Sequence, residues 1–353
     1  MDSTALTTKE AIKKLADKVS AVRIPENLGF KLQELFAQLE INSQNEETFW
    51  QNYQTISKYI DWVTAIPWFT ETKDILDLSD AKEKLDQEHY GLDSIKERIL
   101  EYVSVLSLQK NRNPTDSVHA PVLLFVGLVG TGKTTMANSI AKVLGRELIR
   151  IPFGGLGDAN YLRGHSRIRP DAEPGQLIKG LVNCKSRNPV ILLDEIDRVA
   201  DNALNTIMGV LVEILDPEQN NHFVDYYLDY PIDLSQAIFC ATCNNTSRIA
   251  TAVLDRLEVI QMPSYTDDEK VTIARNYLLP KALNNTGLTS QDLKIADDIW
   301  AQIVRPLGFD AGVRTLQRNI EAMCRKVAKI ILEGQSKQVI VDNSNVKTFL
   351  PQW

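Results

Sequence analysis

The feature that most constrains the fold of this chain is one glycine-rich segment, Gly127-Leu-Val-Gly-Thr-Gly-Lys-Thr134. It follows the pattern G-x-x-x-x-G-K-[ST], an apolar run precedes it, and residues with helical spacing follow it. Glycines let the backbone curl so that several N–H groups point at one anion, and the start of the helix adds the positive end of its dipole. The segment therefore predicts a phosphate-binding loop between a strand and a helix.

The residue types in this loop indicate separate roles toward a nucleotide. The Lys133 ammonium can reach the β- and γ-phosphates, and the Thr134 hydroxyl can ligate Mg²⁺. The alternative is a glycine-rich turn that binds nothing. We favour the nucleotide reading, with ATP and Mg²⁺ as cofactors, because strand, loop, Lys-Thr pair and helix are all in register. The residues predicted to contact the nucleotide are Gly127, Leu128, Val129, Gly130, Thr131, Gly132, Lys133, Thr134 and Thr135.

A second apolar run, Val190-Ile-Leu-Leu-Asp194-Glu195, ends in two carboxylates. Parallel sheets bind ligands at the carboxyl ends of their strands, so we expect both carboxylates beside the phosphate loop. Asp194 would hold Mg²⁺ through its hydration shell and would bind the nucleotide together with the loop. Glu195 would orient and polarise the attacking water. The alternative is that one of these carboxylates caps the following helix.

The pattern along the chain predicts three parts. Residues 1–69 contain three stretches with helical spacing. Over residues 70–262 short apolar strands alternate with helices, which is typical of a mostly parallel sheet covered by helices on both faces. Residues 263–353 are predicted to form a small helical domain, with helices over 267–279, 291–304 and 312–333 and one short strand at Val339–Val341. The predicted core strands are 122–126, 148–151, 190–193, 238–242 and 259–262.

Composition limits the classes of function. Of the 353 residues, 44% are hydrophobic and 24% are charged, which is ordinary for a globular protein, and no apolar run approaches the roughly 18 residues of a membrane span. The polar start of the chain lacks a signal peptide, so we expect a cytoplasmic protein with no membrane partner. The net charge of −7 makes a nucleic-acid partner unexpected.

Cys240 and Cys243 have C-x-x-C spacing, but their apolar surroundings favour a buried strand over a zinc or redox site.

Further motifs stand outside the phosphate loop and the acidic strand end. They are Ser57-Lys-Tyr-Ile-Asp-Trp62, Pro67-Trp68, His89-Tyr-Gly-Leu92, Arg163-Gly-His165, Asp216-Pro-Glu-Gln-Asn220, Ala241-Thr-Cys-Asn244, Leu254-Asp-Arg256 and Ala311-Gly-Val-Arg314. Over residues 10–350 the chain resembles the ATPase module of the Lon protease family, within the AAA+ class. The resemblance implies a three-layer α/β P-loop NTPase core with a mostly parallel five-stranded sheet, an N-terminal helical segment and a small helical lid domain.

The same resemblance implies further site residues. Asn244 would sense the γ-phosphate, Arg256 would be an arginine finger that reaches a neighbouring subunit's nucleotide, and Arg314 would be a second sensor. A turn residue for Asn244 and surface positions for the two arginines are the alternatives. A finger acting in trans requires a heterologous contact that closes into a ring, and the family implies a hexamer. The residues implied to line the adenine pocket are His89, Tyr90 and Gly91.

The chain departs from the family's pattern in two respects. No Pro-x-Asp-Gly-x-Ser segment of the family's Ser–Lys protease occurs in the sequence, and we expect the family's N-terminal substrate-binding domain to be absent as well. We therefore expect no peptidase activity from this chain alone, and a separate protease or regulatory partner stays open. In the first pore loop Arg169 and Pro170 occupy the positions of an aromatic and an aliphatic residue. The second pore loop, residues 201–208, lacks the family's Gly-Asp-Pro.

Three functions remain open from the sequence. The first is a ring ATPase that unfolds and translocates protein, and the second is a nucleotide-switched assembly protein that binds a partner without threading it. The third is a nucleic-acid motor, against which the overall acidic charge and the nearby Asp171 and Glu173 count. That motor would use three pore arginines, Arg163, Arg167 and Arg169.

Overall fold

The computed structural model of the chain describes residues 7–112, 121–305 and 312–350; Ala311 of the C-terminal motif lies outside these ranges. Three helices open the described part, and a capping box between Thr7 and Glu10 begins the first of them. The predicted helical character of this segment is thus confirmed. The helices are α1 (Thr8–Ser20), α2 (Glu26–Asn42) and α3 (Glu46–Ala65).

The central part of the chain begins with two helices and continues with alternating strands and helices. In chain order its elements are α4 (Leu78–Glu88), α5 (Asp93–Arg112), β1 (Val122–Val126), α6 (Lys133–Leu144), β2 (Leu148–Pro152), α7 (Asn160–Arg163), α8 (Gln176–Cys184), β3 (Val190–Asp194), α9 (Leu204–Leu215), β4 (Phe223–Asp225), β5 (Tyr230–Ile232), β6 (Ile238–Cys243), α10 (Thr251–Leu254) and β7 (Leu257–Gln261). The short antiparallel hairpin of β4 and β5 was not foreseen from the sequence.

The central sheet has five parallel strands in the order β2-β3-β6-β1-β7, so the predicted sheet is confirmed. Side chains alternate between its two faces. On one face Leu123 and Phe125 pack with α4, α5 and α6. On the other, Leu124 and Val126 pack with α8, α9 and the three N-terminal helices in one continuous core. The parallel order places the carboxyl ends of β1, β3 and β6 side by side, which positions the site described below.

The C-terminal part is mostly helical and has its own core. The predicted helix over residues 291–304 is wrong in its first half: Leu293–Ile295 pairs in parallel with Val339–Val341, and only Trp300–Val304 is α-helical. Burial alternates along Leu293-Lys294-Ile295, and the pairing with a strand more than 40 residues later decided its conformation. The elements are α11 (Asp267–Ile273), α12 (Leu279–Thr286), β8 (Leu293–Ile295), α13 (Trp300–Val304), α14 (Arg314–Leu332), β9 (Val339–Val341) and α15 (Val346–Phe349).

The predicted domain boundaries at residues 69 and 262 stay predictions, since the N-terminal helices share a core with the sheet. No helix within the described ranges is long and apolar enough to cross a membrane.

Candidate nucleotide site

The phosphate loop joins β1 to α6, as the sequence predicted, and Lys133 is the first residue of α6. Gly130 and Gly132 have φ values of 83° and 99°, which a residue with a Cβ rarely adopts. The Lys133 Nζ donates to the carbonyl oxygens of Gly127 at 2.6 Å and Leu128 at 2.9 Å. It also donates to Asn244 Oδ1 at 3.0 Å, so the loop lysine and the predicted sensor lie together.

The environment of Lys133 is both dry and negatively charged. Burial lowers the pKa of its ammonium, and the nearby acidic side chains Asp194, Glu195 and Asp197 oppose that shift. An ammonium shielded from water interacts more strongly with a phosphate than a fully hydrated one does. The position of Lys133 therefore suits it to bind a phosphoryl oxygen.

Both oxygens of the Asp194 carboxylate accept hydrogen bonds. Its Oδ1 accepts a hydrogen bond from Thr242 Oγ1 at 2.5 Å and lies 3.4 Å from Thr134 Oγ1. Its Oδ2 accepts from Arg150 Nε at 2.8 Å, and Arg150 Nη2 lies 2.6 Å away. Asp194 is only 4% exposed, so these contacts fix its orientation.

Thr134 and Asp194 offer the oxygen ligands that Mg²⁺ prefers. Their facing oxygens are 3.4 Å apart, and Mg²⁺ is usually bound by one or two protein oxygens together with substrate phosphates and water. Within the described ranges no group of three or more His, Cys, Asp or Glu side chains could hold a metal ion. A magnesium ion carried by a nucleotide does not require such a group, so the residues present fit it.

Glu195 follows β3 in a strained backbone conformation. Its φ of 59° and ψ of 49° lie in the left-handed region, which costs a non-glycine residue about 1–3 kcal/mol. Its backbone N–H donates to Thr242 Oγ1 at 2.9 Å, and Arg198 Nη1 lies 3.5 Å from the Glu195 carboxylate. The Glu195 side chain is 37% exposed, so a water molecule can reach it.

Asp197 holds the segment that carries the predicted sensor. Its Oδ2 accepts the backbone N–H groups of Asn244 at 3.0 Å and Asn245 at 3.2 Å, and its Oδ1 is buried without a hydrogen-bond partner. Sequence reasoning missed Asp197 and Thr242. The signal for Asp197 was its place in the acidic run after β3. Thr242 lies in the motif Ala241-Thr-Cys-Asn244, which contributed to the family resemblance but was given a role only at Asn244.

The Arg256 side chain forms its hydrogen bonds away from the phosphate loop, with two residues of the same chain. Its Nε and Nη2 donate to Asp216 Oδ2 at 3.3 and 2.8 Å, and its Nη1 donates to the Ala252 carbonyl at 2.7 Å. The Arg256 guanidinium in turn lowers the pKa of Asp216. Asp216 is the first residue of the Asp-Pro-Glu-Gln-Asn motif, so this motif orients the guanidinium of the predicted arginine finger.

Arg314 is the first residue of α14, and it lies against the phosphate loop. A Cβ added to Gly130 would be 3.1 Å from Arg314 Cβ, and the preceding Val313 N–H donates to the Gly130 carbonyl at 3.0 Å. The structure thus brings the predicted second sensor to the same loop as Lys133. This contact joins the C-terminal helical part to the nucleotide site.

The three residues assigned to an adenine pocket differ in their surroundings. The His89 ring is buried, and its Nε2 lies 2.8 Å from Ser139 Oγ on α6. Burial lowers the pKa of His89 to about 4, so the ring is neutral at pH 7. The Tyr90 ring meets Tyr277 edge to face with 6.5 Å between centroids, and Gly91 faces open space. Their contact with adenine stays a prediction.

The candidate first pore loop presents one apolar side chain at its tip. Ile168 is 93% exposed, and Arg169 beside it is also exposed. Arg167 packs over the Tyr59 ring at 4.0 Å, and Arg163 forms an ion pair with Glu213. Two of the three arginines proposed for a nucleic-acid motor are therefore committed to contacts within the chain.

Cys240 and Cys243 are both buried in β6. Burial raises the pKa of each thiol to about 12, which keeps it protonated and opposes thiolate chemistry. The buried-strand interpretation of this pair is confirmed.

Comparison with known proteins adds independent findings. Residues 123–265 match the ATPase family associated with various cellular activities (AAA), and residues 284–340 match the Lon protease AAA+ ATPase lid domain. The chain is 41% identical over 340 residues to Lon protease of Bacillus thuringiensis (strain Al Hakam), covering 96% of this chain and 41% of that protein. It is 39% identical over 340 residues to Lon protease 1 of Bacillus subtilis (strain 168), covering 96% and 42%. The chain spans about two fifths of the length of these relatives.

Proposed function

We propose that this chain, which is an AAA+ ATPase module of the Lon protease family, couples ATP hydrolysis to the unfolding and translocation of polypeptide. The AAA match and the Lon relatives support ATP binding and hydrolysis. The observation that carries the hydrolysis mechanism is the convergence of Lys133, Asp194 and Glu195 at the carboxyl ends of β1 and β3, two parallel strands that flank β6.

In the proposed mechanism each residue has a role that follows from the chemistry of its side chain. Lys133 binds the β- and γ-phosphates, and Asn244, which already bonds its ammonium, senses the γ-phosphate. Thr134 and Asp194 would hold Mg²⁺, which supplies charge neutralisation to the phosphates when bound. Glu195 accepts a proton from the attacking water, and its partial exposure leaves room for that water.

We further propose that the chain works as a homo-oligomeric ring, in which Arg256 reaches the nucleotide of the next subunit. Its own Asp216 orients the guanidinium, and the Arg256 side chain is 29% exposed, so another surface can reach it. A positive charge supplied in trans stabilises the transition state and is worth about 10³- to 10⁵-fold in related nucleotide hydrolases. Arg314 would report the state of the nucleotide to the C-terminal helical part.

The loop that carries Ile168 is the proposed contact with an unfolded polypeptide. An exposed apolar side chain can bury itself against many different side chains, because apolar burial is not directional. The second candidate function, a nucleotide-switched assembly protein, is favoured by one observation: Arg169 and Pro170 occupy the positions of the family's gripping residues.

The experiment is steady-state ATP hydrolysis with and without an unfolded polypeptide. Glu195→Gln removes the proposed base, and Glu34→Gln, an exposed position on α2, is the matched control. Hydrolysis that rises with polypeptide, and that only Glu195→Gln abolishes, supports the proposal. Hydrolysis that polypeptide does not change supports the assembly switch. Absence of hydrolysis under conditions in which rings form overturns the assigned residues.

A further inference from the structure

Thr242 bonds both carboxylate residues of the site and is shielded from solvent. It is the fifth residue of β6 (Ile238–Cys243) and is fully buried. Its Oγ1 is 2.5 Å from Asp194 Oδ1 and 2.9 Å from the backbone nitrogen of Glu195. One hydroxyl therefore connects the last residue of β3, Asp194, and the residue that follows it, Glu195.

The direction of these two hydrogen bonds follows from the chemistry of the groups. A backbone N–H can only donate, so the Thr242 oxygen accepts from Glu195. The single hydroxyl proton then points to the Asp194 carboxylate, which accepts it. Neither bond can be replaced by water, because Thr242 is fully buried and Asp194 is almost so.

Each bond constrains one part of the hydrolysis site. At Asp194, Arg150 holds Oδ2 and Thr242 holds Oδ1, so the plane of the carboxylate is set from both ends. At Glu195, the bond to the backbone N–H secures a residue whose φ of 59° is unfavourable without a supporting contact. The backbone direction at Glu195 in turn decides where its carboxylate points.

We propose that Thr242 is a positioning residue for ATP hydrolysis, whose hydroxyl orients the metal-binding carboxylate of Asp194 and the water-activating Glu195 at the same time. The inference rests on the proposed roles of these two residues, but it is independent of polypeptide translocation. Partners that orient metal ligands from outside the coordination shell commonly change metal affinity or activity about 10- to 100-fold when they are removed.

The test compares two substitutions that differ in the hydroxyl. Thr242→Val keeps the branched shape and removes the hydroxyl, whereas Thr242→Ser keeps the hydroxyl and removes a methyl group. Thr286→Val is the matched control, because it removes a threonine hydroxyl that bonds only carbonyl oxygens of its own helix. Basal ATP hydrolysis without polypeptide is measured for each variant, so failure of the translocation proposal does not affect the result.

Two further readouts separate positioning from folding. The first is the affinity of the ADP complex for Mn²⁺, measured by electron paramagnetic resonance as a probe for the magnesium site. The second is the affinity for a fluorescent ADP analogue without divalent metal. Thr242→Val is expected to lower kcat about 10- to 100-fold and Mn²⁺ affinity about 10-fold, with ADP affinity and the KM for ATP nearly unchanged. Thr242→Ser is expected to retain most of both properties.

Several results would overturn the proposal. Normal kcat and normal Mn²⁺ affinity in Thr242→Val would show that the hydroxyl is dispensable. A defect in Thr242→Ser as large as that in Thr242→Val would assign the effect to the lost packing of the methyl group. Loss of metal-free ADP affinity in Thr242→Val would point to a disturbed fold of the loop instead of misplaced carboxylates. If wild-type hydrolysis proves absent, Mn²⁺ affinity alone decides the question.

Discussion

The backbone N–H of Val313 donates to the carbonyl oxygen of Gly130 at 3.0 Å, which joins the start of α14 directly to the phosphate loop. The neighbouring Gly312 makes this approach possible: a Cβ at that position would lie 2.4 Å from the carbonyl carbon of Gly130. The C-terminal helical part and the loop are therefore in contact without an intervening side chain. A change in the loop on nucleotide binding can pass to α14 through this contact.

The first prediction concerns that contact. Gly312→Ala is expected to force α14 and the loop apart and to lower nucleotide affinity about 10-fold, since overpacking of this kind costs about 1–3 kcal/mol. Binding of a fluorescent ADP analogue measures the effect. Gly157→Ala is the control, because a Cβ there meets nothing within 4 Å. Equal affinity in both variants would show that the contact is not needed for binding.

The second prediction concerns Arg256 and Asp216. Arg256→Ala is expected to lower ring ATP hydrolysis about 10³-fold or more, and Asp216→Asn about 10- to 100-fold because the guanidinium loses its orientation. Asp297→Asn is the matched control, since Asp297 pairs with Arg275 at 2.9 Å in the C-terminal part. If the two Asp variants hydrolyse ATP at the same rate, the orienting role of Asp216 is refuted.

Mixing variants tests whether Arg256 acts on a neighbouring subunit. Arg256→Ala subunits keep the proposed base, and Glu195→Gln subunits keep the proposed finger. In mixed rings some active sites combine both intact residues, so hydrolysis is expected to rise well above that of either variant alone. Native mass spectrometry confirms that mixed rings form. Mixed rings as inactive as the parents would argue against a role in trans.

The third prediction concerns the tip of the first pore loop. Ile168→Ser is expected to raise the polypeptide concentration needed for half-maximal stimulation of ATP hydrolysis about 10-fold, because burial of an isoleucine contributes about 1.5–3 kcal/mol. Basal hydrolysis should not change. Ile340→Ser is the control, since Ile340 is also an exposed isoleucine but lies on β9. An effect from Arg169→Ala with none from Ile168→Ser would identify the arginine as the contact.

The fourth prediction concerns His89 and pH. Burial lowers the pKa of His89 to about 4, below the usual 6.5, so the unfolded chain binds the proton more readily than the folded one between these values. Acidification from pH 7.5 to 5 should therefore reduce the free energy of unfolding, by about 2 kcal/mol from this group. The contribution of His89 to the free energy of unfolding is complete above pH 6.5 and is lost as the pH falls toward 4.

The charged neighbours of His89 make a variant comparison necessary. Glu88 raises its pKa, whereas Lys96 and Lys142 lower it. His89→Gln keeps a hydrogen-bonding group near Ser139 and cannot be charged, so urea unfolding of this variant should depend less on pH than that of the wild type. His222→Gln, at an exposed position, should retain the wild-type dependence. Identical slopes in all three proteins would rule out a buried neutral His89.

Much of the fold could be predicted from the sequence because its signals are local. Buried parallel strands such as β1 and β3 are continuous apolar runs, and α6 begins at Lys133 as the loop pattern requires. The strand at Leu293–Ile295 could not be predicted, because its partner lies far along the chain and three residues carry little periodicity. The β4–β5 hairpin was missed because its two strands, although close along the chain, also have only three residues each.

The residues of the site likewise fall into those that a local sequence pattern predicts and those that only long-range contacts reveal. The sequence by itself determined the phosphate loop, the two carboxylates after β3 and the family, since each depends on neighbouring residues in a short motif. Only the tertiary structure decided that Thr242 bridges Asp194 and Glu195, and that Asp216 holds Arg256. These partners are 40 or more residues apart along the chain, and the order of the parallel strands brings Thr242 to Asp194. A local pattern cannot encode such contacts, because they depend on which strands become neighbours.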